Sequence, residues 1–126
     1  MKKIFTFLIL MIGANHAWAD WERFGSLANG NIFYMQTGAL YRDGNFVKVF
    51  IIENKPQLDR FGDRSNKQLV EVDCRGLRTR SLSFASFDGS MATGNPTGYD
   101  SKTEPWDYAK PGTVDMKLVK TACAPR

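Results

Sequence analysis

The chain has 126 residues, with 17 lysines and arginines against 13 aspartates and glutamates, two cysteines and a single histidine. That length suits one domain, and the lone His16 falls inside an N-terminal export signal, so the mature chain keeps no histidine. Without the usual neutral-pH base and metal ligand, Ser-His and Cys-His nucleophilic sites and ordinary zinc sites are excluded, and no cofactor or metal is expected.

The export signal occupies residues 1–19. Lys2 and Lys3 form a charged start, Ile4 to Ile12 are almost wholly apolar, and Ala17-Trp18-Ala19 places small residues at a cleavage site. The apolar run is about half of the ~20 residues that cross a bilayer. A cleaved signal is therefore expected, followed by one domain over residues 20–126 and no transmembrane segment. No cysteine follows the cleavage site, and the product is expected in the periplasm, at the cell surface or outside the cell. Losing Lys2 and Lys3 leaves 15 basic against 13 acidic side chains, and the net charge falls from +4 to +2. A general nucleic-acid binder needs a stronger positive field, so nucleic acid is not an expected partner.

The mature chain opens with strands. Trp21 to Leu27 precedes Asn29-Gly30, a hairpin signal, and Ile32 to Gln36 returns. A short run at Leu40 to Arg42 leads into the turn pair Asp43-Gly44. Asn45 to Glu53 alternates Phe46, Phe50 and Ile52 with Val47, Val49 and Ile51, which predicts a central strand apolar on both faces. After a polar loop containing Pro56, Gly62, Asp63 and Arg64, Leu69 to Cys74 reads as a strand with Val70, Val72 and Cys74 on one face. Arg75-Gly76 turns the chain into a long strand, Leu77 to Phe87. From Asp88 to Pro111 the composition shifts to Gly, Pro, Asn, Thr and Asp. One short strand near Met91 to Thr93 is expected in an otherwise irregular loop.

The tail changes period. Thr113 suits a helix N-cap, Asp115 the first turn, and Lys117 and Lys120 the later turns. Val114, Leu118, Val119, Ala122 and Cys123 share one helical face. In an exported protein, the two cysteines read as one disulfide. Cys74 on a strand face and Cys123 on the helix's apolar stripe would clamp helix to sheet.

Several segments resemble successive marks of the bacterial surface-adhesin protein E family. They are Tyr34, Gly44-Asn45-Phe46-Val47-Lys48-Val49-Phe50, Arg64-Ser65, Val72-Asp73-Cys74, Pro105-Trp106, Pro111-Gly112-Thr113 and Leu118-Val119-Lys120-Thr121-Ala122-Cys123. The resemblance implies an α+β fold, an antiparallel β-sheet of about six strands with a C-terminal helix disulfide-linked to its concave face. It also implies a non-enzymatic adhesin that engages host matrix and serum proteins through a basic stretch around the first cysteine. Arg64 and Lys67 match basic positions of that stretch, and Arg75, Arg78 and Arg80 add to it. The chain departs from the family in lacking the lipid-anchor cysteine and in carrying Phe50 where many members have tryptophan.

Arg64, Lys67, Arg75, Arg78 and Arg80, with Arg60, are thus the candidate partner-binding residues, for a protein or an acidic glycan. The competing reading is a solvated sheet face balanced by Asp59, Asp63, Glu71 and Asp73. Asp73 is expected to pair with a nearby arginine or backbone amide rather than to act as an acid catalyst. Trp21, Trp106 and Tyr108 are candidate interface anchors, with core packing the expected role of Trp21 and Trp106. A homodimer is a further assembly to consider. The alternative function is a periplasmic structural or inhibitor module of the lysozyme-inhibitor type, for which the sequence offers no distinctive inhibitory loop.

Overall fold

A computed structural model describes residues 21–125, so the expected signal peptide lies outside the described residues. Strands β1 (Trp21–Ser26), β2 (Ile32–Gln36), β3 (Tyr41–Asp43), β4 (Phe46–Asn54), β5 (Ser65–Asp73), β6 (Arg78–Phe87), β7 (Pro96–Asp100) and β8 (Asp107–Tyr108) precede one helix, α1 (Val114–Cys123). Every pairing is antiparallel, in the order β1-β2-β4-β5-β6-β7, with β3 also on β4 and β8 also on β6. β2 and β3 together make one interrupted neighbour of β4, broken by a short 3-10 turn at Thr37–Ala39. β7 and β8 do the same for β6. The eight strands therefore form six rows, and the expected α+β architecture stands.

Turn chemistry sets the register. Asn29-Gly30 closes the first hairpin with Gly30 at φ 97°, and Leu27 N–H donates to the Asn31 carbonyl at 2.9 Å. β4 is central, flanked by β5 on one side and by β2 and β3 on the other. Its alternation turns Val47, Val49 and Ile51 to one face, where they are buried with Met35, Val70 and Val72 beneath Leu118, Val119 and Ala122 of α1. Phe46, Lys48 and Phe50 take the opposite, outer face and keep solvent contact, whereas Ile52 is buried there.

The strand expected near Met91 to Thr93 does not form. Ser90–Ala92 is a 3-10 turn in which Met91 and Ala92 have φ of 54° and 60°, a left-handed conformation that no strand accommodates. Two side chains fix this backbone: Met91 N–H donates to Asn54 Oδ1 at 2.7 Å and Ala92 N–H to Ser65 Oγ at 2.8 Å. The strand comes later, at Pro96–Asp100, with the proline at the start of an edge row where its missing N–H costs little.

α1 follows its sequence signals. Thr113 caps it, Oγ1 accepting from Met116 N–H at 3.4 Å, and the chain reaches this cap through Gly112 at φ 83°. The Cys74–Cys123 disulfide joins the end of β5 to the last helical residue, with Cα atoms 5.8 Å apart. The helix is thereby held over the inner sheet face.

Candidate functional site: an arginine–tryptophan face

The outer face owes its arrangement to the tight turn between β5 and β6. Asp73 Oδ1 accepts from Gly76 N–H at 2.9 Å, and Leu77 N–H donates to the Asp73 carbonyl at 2.8 Å. A Cβ at Gly76 would stand 2.6 Å from Asp73 Oδ2, so a larger residue there would displace the carboxylate from this arrangement. Leu77 completes it in the left-handed region, at φ 56°. Cross-strand partners then follow in rows: Phe46, Asp73, Arg78 and Tyr108 in one, Lys48, Glu71 and Arg80 in the next.

Two ion pairs cross β5 and β6 within these rows. Arg78 Nε donates to Asp73 Oδ2 at 2.8 Å, and Arg80 donates to Glu71 Oε1 from Nη2 at 2.8 Å and from Nε at 2.9 Å. Trp106, just ahead of β8, lies under both guanidinium groups, whose carbons are 4.5 Å (Arg78) and 4.3 Å (Arg80) from its ring centroid. The Phe46 ring packs on the same indole, 6.1 Å away and tilted by 45°. A tryptophan is thus clamped by two arginines, each already held by an acid. The Gly76 amide first, and then Arg78, hold the Asp73 carboxyl below its usual range, and Asp73 in turn raises Arg78. Asp73 and Arg78 therefore stay ionised around neutral pH.

The five basic candidates do not form one patch. Arg78 and Arg80 meet around Trp106, and Arg75 is exposed on the adjoining turn. Lys67 lies farther along β5, its Nζ 4.7 Å from the Phe50 ring centroid and 5.8 Å from that of Trp21. Arg64 precedes the far end of β5, and its Nε donates to the Lys55 carbonyl at 2.8 Å. The arginine partner expected for Asp73 is Arg78.

Trp21 and Trp106 depart from the core packing expected of them. Both are half-buried and stack with cations outside the helix-side core. Their place follows from register: Trp21 pairs with Gln36 at one edge of the sheet, and Trp106 enters the short row formed by β8. Trp106 and Tyr108, for which interface anchoring was the other reading, stand on this face, and Phe46, which the sequence did not single out for it, completes it. The available signal was the pairing of Asp73 with Arg78 and Glu71 with Arg80 across a turn centred on Arg75-Gly76. Among the described residues, no three His, Cys, Asp or Glu side chains gather to hold a metal ion, and no helix is long and apolar enough to cross a membrane.

The fold is similar to that of Haemophilus influenzae protein E. Its crystal form II superposes with a TM-score of 0.65 at 15% identity, covering 83% of this chain and 87% of that one. A second protein E structure gives a TM-score of 0.63 at 16% identity, over 83% and 84% of the two chains. A structure of protein E from non-typeable H. influenzae gives 0.60 at 16% identity, over 83% and 76%. No curated protein matches the chain. The family model for surface-adhesin protein E matches residues 21–124, and the chain belongs to that family.

Proposed function

We propose that this protein is an exported, non-enzymatic binding module whose outer sheet face engages a protein partner of the host matrix, of serum or of the cell envelope. Membership of the adhesin family supports the binding role. The observation that carries the choice of surface is the Arg78–Trp106–Arg80 clamp, bordered by exposed Tyr108 and Leu77. Tryptophan, tyrosine and arginine are the side chains most enriched where interface energy concentrates. Here they are held in place before any partner arrives, which limits the side-chain entropy lost on docking.

Arg78 and Arg80 are already balanced by Asp73 and Glu71. Binding through this face should therefore depend on shape and stacking more than on net charge. An acidic glycan would instead draw on Arg64, Lys67 and Arg75, with affinity falling steeply as salt is raised. Immobilised serum and matrix proteins, with heparin alongside, separate the two cases. Retention on a protein ligand with shallow salt dependence and loss on Trp106→Ala supports the proposal. Retention on heparin alone, or none at low salt, contradicts it.

A second reading is favoured by the loop between β4 and β5. Asp59 orders it: Oδ1 accepts from Phe61 N–H at 2.8 Å and Asp63 N–H at 3.0 Å, while Oδ2 pairs with Lys55 Nζ at 2.6 Å. The loop presents Leu58 and Phe61 to solvent at 57% and 72% exposure. A rigid loop with apolar tips suits insertion into an enzyme cleft, as an inhibitor-type envelope module requires. A lysozyme inhibition assay, with Phe61→Ala as control, tests this reading.

A further inference from the structure

α1 covers only part of the inner sheet face, and a trough runs on from its N-terminal half. An open recess of about 520 Å³ lies between the first hairpin and the helix start, lined by Leu27, Phe33, Thr113 and Val114 among others. A smaller recess of about 120 Å³ shares Phe33, Val114 and Asp115 with it and adds Phe24, Ile51, Val70 and Leu118. Gln68 and Ser81 carry the floor onward to a third hollow walled by Phe84, Asp100, Lys102 and Glu104. The trough is thus bounded by α1 on one side and by the 100–107 segment on the other, with apolar and polar side chains mixed along its floor.

The charges at the centre are uneven. Arg80 lines the smaller recess, but its guanidinium is already committed to Glu71 and Trp106. Asp115, from the first turn of α1, has no salt bridge or side-chain hydrogen bond among the described residues. Partial burial, and then the neighbouring carboxylate of Asp107 on β8, raise its pKa. Glu104 adds a further acid on the opposite wall, while Lys117 faces the first recess and Lys102 the far hollow. The middle of the trough therefore sets Phe33, Val70 and Leu118 beside a carboxylate with no cation of its own.

We propose that this trough is a docking site for an extended polypeptide segment of a partner protein, bearing an apolar side chain next to a lysine or arginine. The apolar side chain enters the recess between Phe33, Val70 and Leu118, and the cation meets Asp115 and Asp107. An incoming cation relieves the repulsion between these two carboxylates and takes up the partner that Asp115 lacks in the free protein. The site borders the outer-face clamp through Arg80, which lines both, but does not depend on that face binding anything.

The test is a nuclear magnetic resonance titration of isotope-labelled protein with a synthetic Gly-Leu-Lys-Leu-Gly peptide capped at both ends. Analogues carrying glutamate for lysine or serine for both leucines serve as controls, and spermidine as a cation without a peptide chain. Shift changes should cluster at Phe33, Gln68, Ser81, Val114 and Asp115 with the parent peptide. Both analogues should bind at least about fivefold more weakly, as expected for losing one charge-assisted contact or one buried side chain. Asp115→Asn should weaken the parent peptide similarly, and its own spectrum reports whether the fold is kept. Affinity should also fall on acidification as Asp115 takes up its proton, and Asp107→Asn should shift that fall to lower pH. Equal binding by the glutamate analogue, equal binding by spermidine, shifts mapping to the outer face, or no binding at millimolar peptide would each overturn the proposal.

Discussion

Arg42 and Ala122 stand eighty residues apart in sequence, yet one guanidinium nitrogen of Arg42 donates to the Ala122 carbonyl at 2.9 Å. The same nitrogen reaches the Ala124 carbonyl at 2.7 Å. Carbonyls at the end of α1 lack intrahelical partners, and here a cation from the short strand β3 satisfies them. Arg42→Met should cost about 1–2 kcal/mol, as expected for partly exposed hydrogen bonds from a charged donor. Hydrogen exchange should accelerate in the last turn of α1 while the strand amides stay protected. Equal protection in the variant would show the contact to be incidental.

The disulfide works on the same helix from the covalent side. Cys74 and Cys123 are 49 residues apart, and in the chain-entropy model closing such a loop contributes roughly 4 kcal/mol. That is a large share of the ~5–15 kcal/mol holding a domain together. The double Cys→Ser variant should melt at a clearly lower temperature and lose helix signal before sheet signal. Melting unchanged from the oxidised protein would mean that the clamp adds no stability.

Three carboxylates give acid stability a mixed sign. Lys55 first, and then the Asp63 amide, hold Asp59 at about 2 against an ordinary value of 3.8, and Asp73 is also depressed. Folded values below unfolded ones mean stabilisation that is complete above about pH 4 and lost as pH falls through the folded values. Asp115 is raised, so its ionisation weighs against the fold above its own pKa and ceases to do so on acidification. Near neutral pH, Asp73→Asn should be less stable than the parent and Asp115→Asn equally or more stable. Both differences should shrink as the buffer approaches pH 2. Denaturation curves across that range check both signs, and a Asp115→Asn variant destabilised at neutral pH would contradict the assignment.

Much of this fold was legible in the sequence because its punctuation is local. Asn29-Gly30, Asp43-Gly44 and Arg75-Gly76 marked three turns, and Thr113 marked the helix start. The alternation in β4 marked its central place. The segment from Asp88 to Pro111 was less legible because its conformation is set from elsewhere: Asn54 and Ser65 fix the Ser90–Ala92 turn through side-chain hydrogen bonds that no local pattern encodes. The basic candidates are spread along the sheet for a related reason. Arg64, Lys67 and Arg78 are close in sequence, but an extended strand carries Arg64 and Arg78 to opposite ends of β5. Trp106 was misplaced because ring size alone suggested burial, whereas two cations on its indole make a half-exposed position favourable.

The central claim is that the arginine-clamped tryptophan forms the binding face. Its most direct test is biolayer interferometry against whichever immobilised serum or matrix protein retains the parent protein, comparing Trp106→Ala with Lys67→Ala and Arg64→Ala. Trp106→Ala should lose about 2 kcal/mol or more of binding free energy, roughly thirtyfold in Kd, as expected for a central interface tryptophan. The Lys67 and Arg64 variants should stay within about threefold of the parent, as non-central contacts do. Undiminished binding by a folded Trp106→Ala protein, with loss in the Lys67 or Arg64 variant, would contradict the account.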